Sequence, residues 1–428
     1  MNDAPRSVRR RPSWRLRVGL LAAAVIVPLG LAELAVRAVP RLLPTWFRQR
    51  FPPNGIEFDR PGILDQTPIT GMPLPYGVDP YDGPPPHDLV DFGVAVRADA
   101  EVDRRDVPRL VLPADHDGLP NVTRPERPDI VLVGDSFTVF AAQLEPPGLQ
   151  RTLAERLEAK VLNVAISGIG PVHELDLMRR VGLPARPRLV VWMFFGGNDL
   201  LDALWSAVQR AQGHQTWGQL FADRRPPTLW VPSLLLALAG SGARPRLATE
   251  ALPGLPLQSD PTRRLWFYPD TVRQCAQPQA TVVGNDGWLN VQAVLRSAKA
   301  DCAEAGCRLL VVYLPSKEQI WLPRVVPDAA LLRRFAEQAV LKAAPVPADD
   351  ATLLADLLGN RGVLEQSLAA FCAAEGVDYW SATPAVDAFA DSGRVGYYAC
   401  DSHWRGDLQA EVAAALAAHL RANDLLGK

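Results

Sequence analysis

The sequence predicts an α/β fold, a three-layer α/β/α sandwich with a mainly parallel sheet, over residues 129–425. From Asp129 onward, short apolar runs alternate with amphipathic helical patterns, which is typical of βα units in a parallel sheet. The runs are nearly continuously apolar, as is expected of strands buried on both faces. Glycines and polar residues follow these runs, at the strand ends where open α/β sheets bind ligands.

The predicted elements follow one another along the chain in this alternating order. The predicted strands are residues 129–133, 160–166, 188–195, 308–314 and 376–380. Between the first two strands, Leu149, Leu153 and Leu157 share one face of a helix, and a last helix follows Trp404. A stretch rich in proline and glycine at about 205–285 breaks the rhythm, so we interpret it as an insertion.

The chain before residue 129 has a different character. Residues 1–17 form a basic tail, and the apolar run at 18–38 predicts one N-terminal transmembrane anchor. Six arginines precede the run and four lie at its end or soon after it, which favours an N-terminus inside the cell. Residues 39–128 predict a stem rich in loops and short β pieces. We therefore expect a single-pass protein of a bacterial-type inner membrane with its body in the periplasm or outside. A cleaved signal peptide is the alternative.

The overall composition narrows the classes of function. A net charge of −2 over 428 residues gives no sign of a basic surface for nucleic acid. The five cysteines include no CxxC pair, and no His/Cys cluster has the spacing of a zinc site. The glycines of "NVAISGIG" lack the spacing of a dinucleotide fingerprint. We therefore expect no metal, no cofactor and no nucleic-acid partner, while the pairing of the cysteines stays open.

Polar residues stand at four predicted strand ends. Gly134-Asp135-Ser136, Gly168 and Gly196-Gly197-Asn198-Asp199 follow the first three strands, and Asp401-Ser402-His403 follow a last strand-like piece, "RVGYYAC". Because the carboxyl ends of parallel strands lie at one edge of a sheet, we expect these turns to converge. Each turn alone also fits a plain bend or a helix cap. The four together, in this order, indicate a functional site.

The residue types match the parts of a serine nucleophile site. The hydroxyl of Ser136 is a weak nucleophile that needs an adjacent base, and the imidazole of His403 suits that role. Asp401 would orient the imidazole and stabilise its charged form. Gly168 and Asn198 would supply N–H donors to the negative charge that develops on a carbonyl oxygen. The sequence therefore indicates acyl-transfer chemistry.

These motifs resemble those of the SGNH (GDSL-type) hydrolase superfamily, whose signature has a Ser in GDS, a Gly, an Asn in GxND and a C-terminal Asp/His pair. The resemblance covers roughly residues 129–425 and implies a flavodoxin-like sheet. It implies Ser136 as nucleophile and His403 as base, oriented by Asp401. It also implies an oxyanion hole made of the Ser136 N–H, the Gly168 N–H and the Asn198 side chain.

Two features resemble the membrane-anchored branch of this superfamily. The Asp401 and His403 pair is two residues apart, where three is common, and so resembles the pair of alginate-type O-acetyltransferases. The segment "YLPSKEQIW" is a second feature similar to those anchored relatives, although its Lys317 has no role that the sequence assigns. The residues interpreted as supports for the turns are Gly134, Asp135, Gly196 and Asp199.

The functional hypothesis is a serine-dependent O-acyl ester hydrolase that works through an acyl-enzyme, on acylated cell-envelope glycans or small esters. The same residues would serve an O-acetyltransferase to an envelope polysaccharide. A lipid or thioester hydrolase would differ in the pocket beside Ser136. A non-catalytic, membrane-anchored binding or assembly protein is the alternative from another class.

Overall fold

The computed structural model describes residues 14–39, 81–83, 110–115, 118–211, 231–232, 234–235, 252–339 and 345–427. Contacts within the chain divide it into two units. One unit comprises Met1–Asp59 and Phe221–Arg246, and the other comprises Arg60–Leu220 and Leu247–Lys428.

The first unit carries the helix α1, Trp14–Ala38. Within it, Arg37 Nε donates to Glu33 Oε1 at 2.9 Å, and Glu33 Oε2 accepts from the backbone N–H of Val231 at 2.8 Å. The predicted anchor at 18–38 falls on this helix. Among the described residues, no helix combines the length and the apolar character that crossing a membrane requires.

The second unit holds the predicted α/β domain. Its described strands are β1 Tyr81–Gly83, β2 Leu110–Leu112, β3 Ile130–Gly134, β4 Val161–Asn163, β5 Leu189–Phe195, β6 Leu255–Pro256, β7 Arg264–Leu265, β8 Arg308–Leu314 and β9 Asp378–Ser381. Its described α-helices are α2 Ser136–Phe140, α3 Leu149–Leu157, α4 Pro171–Leu177, α5 Asp199–Ala211, α6 Pro269–Cys275, α7 Gln279–Val283, α8 Asp286–Ala305, α9 Lys317–Trp321, α10 Ala329–Gln338, α11 Asp350–Asn360, α12 Val363–Glu375, α13 Thr383–Asp391 and α14 Gly406–Ala422. Short turns of other helix types lie at Met178–Gly182, Leu183–Ala185 and Leu322–Arg324.

Five parallel strands form the central sheet, in the order β4-β3-β5-β8-β9. Ile130 of β3 pairs with Val161 of β4 on one side and with Leu189 of β5 on the other. The chain therefore moves outward from β3 to β4 and then crosses back to β5, so the strand order reverses between β3 and β5. At such a reversal a crevice for ligands lies beyond the carboxyl ends of the two strands.

Both faces of the sheet are buried, which explains the nearly continuous apolar runs in the sequence. Ile130 and Leu132 belong to an apolar cluster on one face, whereas Val131 and Val133 belong to a second cluster. Alternate residues divide in this way because successive side chains of a strand point to opposite faces. The first cluster includes residues of α3, α10, α11, α13 and α14, and the second includes residues of α4, α5, α8 and α12. The fold is thus mixed α/β, with helices against both faces of a parallel five-stranded sheet.

Each strand of the central sheet overlaps a predicted apolar run, and β4 is much shorter than predicted. The run at 160–166 predicts seven residues of strand, whereas β4 ends at Asn163. The side-chain oxygen of Asn163 accepts from the N–H of Ala165 at 3.0 Å. This local bond turns the backbone away from the sheet and ends the strand.

The described part of the predicted insertion packs against the site edge of the sheet. The helix α5 continues to Ala211, past the predicted start of the insertion. From α6, Thr271 Oγ1 donates to the carbonyl of Gly197 at 3.1 Å, and Gln274 Nε2 donates to the carbonyl of Gly196 at 2.6 Å. The insertion therefore supports the turn that follows β5.

Part of the predicted stem also reaches the domain. β1 and β2 pair antiparallel, and Leu110 of β2 forms a small apolar cluster with Phe140 and Tyr398. The backbone N–H of Leu144 donates to the carbonyl of Val111 at 2.9 Å. The described end of the stem thus covers the helix α2.

The strand-like piece "RVGYYAC" was predicted to precede the Asp/His pair as a strand, and that prediction is wrong. Residues 394–400 make only an isolated bridge, between Tyr397 and Trp404. The carbonyl of Tyr398, which a sheet strand would pair with a neighbouring strand, accepts instead from Lys317 Nζ at 3.2 Å. Tertiary contacts have overridden the local preference for strand. We refer to residues 397–404 as the Asp-His loop.

Candidate active site

The turn after β3 places the hydroxyl of Ser136 at the edge of the sheet. Asp135 is the N-cap of α2, and its Oδ1 accepts from the N–H of Phe137 at 2.9 Å. Ser136 is the first residue of α2, where a backbone N–H has no partner within the helix. A Cβ at Gly134 would lie 2.1 Å from Thr138 Oγ1, so this close approach requires glycine. The turn is therefore both a helix cap and a platform for the serine.

The three residues of the predicted triad come together across the fold. His403 Nε2 lies 2.7 Å from Ser136 Oγ, and His403 Nδ1 lies 2.7 Å from Asp401 Oδ1. The backbone N–H of His403 donates to the same Asp401 oxygen at 2.9 Å. Asp401 is fully buried, whereas Ser136 is half-buried and thus within reach of a ligand. With a proton on Nδ1 facing the carboxylate, Nε2 is left to accept the serine proton.

Aromatic rings pack around the imidazole of His403. The ring of Phe140 stacks on it at a centroid distance of 4.0 Å and an angle of 5°, and Phe137 lies at 4.8 Å and 32°. Phe137 stacks in turn on Phe195 of β5 at 3.6 Å. These contacts hold the plane of the imidazole and exclude water beside it, which strengthens its polar contacts. Sequence analysis did not identify Phe137 and Phe140, although both lie within the first helical turn after Ser136.

The two predicted donors outside the triad lie in the turns after β4 and β5. Gly168 has a φ of +78°, is exposed, and has open space where a Cβ would be. Only glycine adopts that backbone conformation without strain, and its N–H is open to a close approach. Asn198 is half-buried, and its Nδ2 donates to Asp202 Oδ2 at 2.8 Å. A Cβ at Gly170 would lie 2.4 Å from the Cβ of Asp202, so any larger residue at position 170 would clash with Asp202.

Asp202 is not among the site residues predicted from the sequence, although the sequence carries a signal for it. Asp202 follows Asn198 at a spacing of i+4, which places two side chains on one face of a helix. The spacing alone would not have shown that the carboxylate contacts the amide, because Asn198 precedes the first residue of α5.

Four acidic side chains interact behind these turns: Asp135, Glu174, Asp199 and Asp202. Burial raises the pKa of Asp135 to about 6, although hydrogen bonds to its carboxylate oppose the rise. Burial, and then repulsion from Asp135, raise the pKa of Asp202 to about 8. Burial and the neighbouring acids raise the pKa of Glu174 and of Asp199 well above the usual range. At neutral pH Asp202 therefore retains its proton, whereas Asp135 is ionised.

The predicted supports of the turn after β5 hold its backbone in place. Asp199 Oδ2 accepts from the N–H of Phe195 at 2.8 Å. The N–H of Gly196 donates to the carbonyl of Leu314 at 2.8 Å and so extends the pairing of β5 with β8. A Cβ at Gly196 would lie 2.2 Å from the hydroxyl of Tyr313, which explains the glycine. Asn198 thus projects from a backbone that is fixed on both sides.

Metal ligands and disulfides are not evident at the site. Within the part of the chain that the structure describes, no three or more His, Cys, Asp or Glu side chains are arranged to hold a metal ion. The five cysteines are buried and form no disulfide. The Cys302 and Cys307 thiols share a hydrogen bond, which raises the pKa of Cys302 and lowers that of Cys307.

Comparisons with known proteins do not identify a family for this chain. No protein-family model and no curated protein matches it. Among solved structures, the crystal structure of TesA is similar, with 14% sequence identity, a TM-score of 0.31, and coverage of 68% of this chain and 98% of that chain. A TM-score this low does not establish a common fold. The functional conclusion therefore depends on the geometry of this site.

Proposed function

We propose that the chain is a serine-dependent ester hydrolase of the SGNH type that works through an acyl-enzyme. The observation that carries the proposal is the hydrogen-bonded series Ser136, His403 and Asp401, in which both side-chain distances are 2.7 Å. The position of Ser136 at the reversal of strand order, beside the end of β5, supports a ligand site there. The order of its motifs along the chain supports the SGNH type.

The first half of the reaction acylates the serine. Ser136 Oγ attacks the carbonyl carbon of the ester, and His403 Nε2 takes the hydroxyl proton. Asp401 accepts a hydrogen bond from Nδ1 and stabilises the imidazolium that forms. When the bond to the alcohol oxygen breaks, His403 transfers its proton to that oxygen, and the alcohol leaves.

The second half returns the enzyme to its starting state. A water molecule gives a proton to His403 Nε2 and attacks the acyl carbon. The bond from the acyl carbon to Ser136 Oγ breaks, the carboxylic acid is released, and the serine regains its proton from His403. Atoms and charges balance over the two halves, with one water consumed for each ester.

Negative charge on the carbonyl oxygen needs fixed donors in both halves. We assign this role to the Ser136 N–H, the Gly168 N–H and the Asn198 amide. The support is local: Ser136 stands at a helix start, Gly168 has the open backbone of a positive φ, and Asn198 is held by Asp202. Removal of one such donor typically lowers kcat by about 10²–10³-fold.

We infer that the substrate is an O-acyl ester on a polar carrier, either a small ester or an acylated glycan of the cell envelope. Ser167 and Gly168 are exposed, so this side of the site is open to solvent. An ester whose alcohol belongs to a bulky polar molecule fits an open edge better than a closed apolar pocket.

Hydrolysis of p-nitrophenyl acetate by the purified full-length chain tests the proposal. We expect Ser136→Ala to abolish turnover and labelling by a serine-directed fluorophosphonate. Ser392→Ala, which removes an exposed hydroxyl at the end of α13, is the matched control and should retain both. Full turnover by Ser136→Ala would contradict the mechanism. If an added oligosaccharide accepts the acetyl group and little ester is hydrolysed, the same residues serve a transferase.

A further inference from the structure

A buried lysine, Lys317, contacts the Asp-His loop from the helix that follows β8. Lys317 is the first residue of α9, directly beyond the carboxyl end of β8, and its side chain is fully buried. Its Nζ donates to the carbonyls of Tyr398 at 3.2 Å, Ala399 at 3.2 Å and Asp401 at 3.0 Å. A lysine ammonium has three N–H donors, so all three can be directed at one loop.

A second buried contact joins the same two segments. The hydroxyl of Tyr397, whose side chain is 1% exposed, donates to the carbonyl of Pro315 at 2.8 Å. The backbone N–H of Trp266 donates to the carbonyl of Ala399 at 3.1 Å, and this carbonyl also accepts from Lys317. The Asp-His loop lacks the strand pairing that would otherwise fix it, and these contacts replace that pairing.

The chemistry of Lys317 is unusual for a purely packing residue. Burial of an ammonium costs several kcal/mol unless polar partners replace its water, so a lysine is rarely chosen to fill space. Its partners here are carbonyl dipoles of the loop that carries the triad acid. The adjacent Glu318 is also buried and accepts from the N–H of Tyr268 at 2.7 Å. The pKa of Glu318 is raised, because the effect of burial exceeds the opposing effect of the Lys317 charge.

The consequence for Asp401 is geometric. Its backbone carbonyl is bound by Lys317, and its Oδ1 accepts from the backbone N–H and from Nδ1 of His403. A shift of the Asp401 backbone would therefore move the atom that sets the orientation and tautomer of the imidazole. Misplacement of a catalytic group by about 1 Å costs about 10²-fold in rate, and loss of the correct histidine tautomer costs about 10⁴-fold.

We propose that Lys317, together with Tyr397, is a positioning residue that holds the Asp-His loop so that Asp401 and His403 are aligned with Ser136. This inference rests on the proposed function, because it assigns a role in the same reaction. Lys317 contacts backbone carbonyls of the Asp-His loop, so the role we assign to it acts through that loop.

The experiment compares Lys317→Met with wild type in the full-length chain. Methionine keeps the length and volume of the stem and removes the three donors. We expect kcat for p-nitrophenyl acetate to fall between about 10²- and 10⁴-fold with little change in KM. We also expect loss of the downfield proton NMR signal of His403 Nδ1–H, which is assigned by its disappearance in His403→Gln. Retention of either the signal or the wild-type kcat by a folded Lys317→Met protein would overturn the proposal.

Two further variants keep the test decisive. Lys299→Met is the matched control, because Lys299 Nζ also donates to a backbone carbonyl, that of Glu375, but at an exposed site on α8. It should leave kcat within about twofold of wild type, as is usual for surface changes. If Lys317→Met does not fold, Tyr397→Phe decides instead: a fall in kcat of about tenfold or more supports the proposal, and an unchanged kcat overturns it.

The proposed function and this inference can fail separately. If wild type hydrolyses no ester, the proposed function fails, whereas the His403 Nδ1–H signal still reports whether Lys317 aligns the pair. If Ser136→Ala abolishes hydrolysis and Lys317→Met leaves both kcat and the signal unchanged, only the positioning role fails.

Discussion

The side-chain amide of Asn198 donates a hydrogen bond to the carboxyl group of Asp202, with Nδ2 and Oδ2 2.8 Å apart. The contact joins the first turn of α5 to the turn that precedes it, and Gly170 leaves room for the Cβ of Asp202. Two of the proposed oxyanion elements, the glycine turn after β4 and Asn198 after β5, therefore meet at Asp202. One donor of Asn198 Nδ2 is held by Asp202, and this fixes the direction of the other.

Asn198→Ala tests the amide itself. We expect kcat for p-nitrophenyl acetate to fall by about 10²–10³-fold with little change in KM, because the donor acts mainly in the transition state. Steady-state kinetics at several substrate concentrations would separate the two constants. A fall below about threefold would be too small for an oxyanion donor and would remove Asn198 from that role.

Asp202→Ala tests whether the amide must be held. The variant keeps Asn198 but removes its hydrogen bond to Asp202, so the amide is less well fixed and we expect a smaller loss of kcat, about 10- to 100-fold. If the two residues act together, the double variant should lose no more than Asn198→Ala alone. Additive losses would show that Asp202 acts independently of the amide.

Gly170→Ala tests the same contact from the opposite side. The added Cβ would lie 2.4 Å from the Cβ of Asp202 and would displace it. We expect a loss of kcat of the same order as for Asp202→Ala, together with lower thermal stability. Gly359→Ala is the control, because no atom lies within 4 Å of its Cβ position in α11. It should leave kcat unchanged and raise stability slightly, since alanine favours helix.

The acidic cluster predicts a pH dependence of stability. The pKa of Asp202 is 3.8 when unfolded and about 8 in the fold. Between these values the folded state keeps a proton that the unfolded chain has released. The stabilisation is therefore complete below pH of about 4 and is lost as the pH rises toward about 8, by up to about 1.4 kcal/mol per pH unit.

Urea denaturation of wild type and Asp202→Asn at pH of about 5 and about 8 measures this effect. The asparagine cannot titrate, so wild type should lose more free energy of unfolding than the variant as the pH rises. Equal pH dependence in the two proteins would show that Asp202 does not hold the proton in the fold.

The stacking of Phe140 on His403 predicts an effect on catalysis without a change of charge. Phe140→Leu keeps an apolar side chain but removes the stacked ring, whose contribution beyond its buried area is about 0.5–1.5 kcal/mol. We expect kcat to fall by about two- to tenfold as the imidazole becomes less well held. Phe371→Leu, in α12 on the other face of the sheet, should lower stability similarly and leave kcat unchanged.

Features that depend on local sequence were predictable. The strands of the central sheet were predictable because burial on both faces demands continuous apolar runs. The turn Gly134-Asp135-Ser136 was predictable because a strand end, a helix cap and a serine lie together in it. The roles proposed for Ser136 and His403 followed from the chemistry of the two residue types. Their distance of 2.7 Å could not follow, since 267 residues separate them in the chain.

Other features depended on partners from distant segments. The piece "RVGYYAC" has a strand-like composition, yet it lies outside the sheet. The carbonyls of Tyr398 and Ala399 accept hydrogen bonds from Lys317 Nζ. The contact of Gly170 with Asp202 joins two turns, and no property of either turn alone specifies it. The apolar run at 18–38 predicts a membrane anchor from hydropathy, whereas the described residues contain no helix long and apolar enough to span a membrane.

The sequence by itself determined the α/β class, the strands of the sheet and the residue types at its carboxyl edge. Hydrophobic periodicity and turn chemistry are properties of short segments, and they can be read without knowing the fold. Only the tertiary structure decided which of the polar residues contact one another: Ser136 with His403, Asn198 with Asp202, and Lys317 with the Asp-His loop. Such contacts arise from strand order and loop placement, where burial requires each polar group to find a partner that may lie anywhere along the chain.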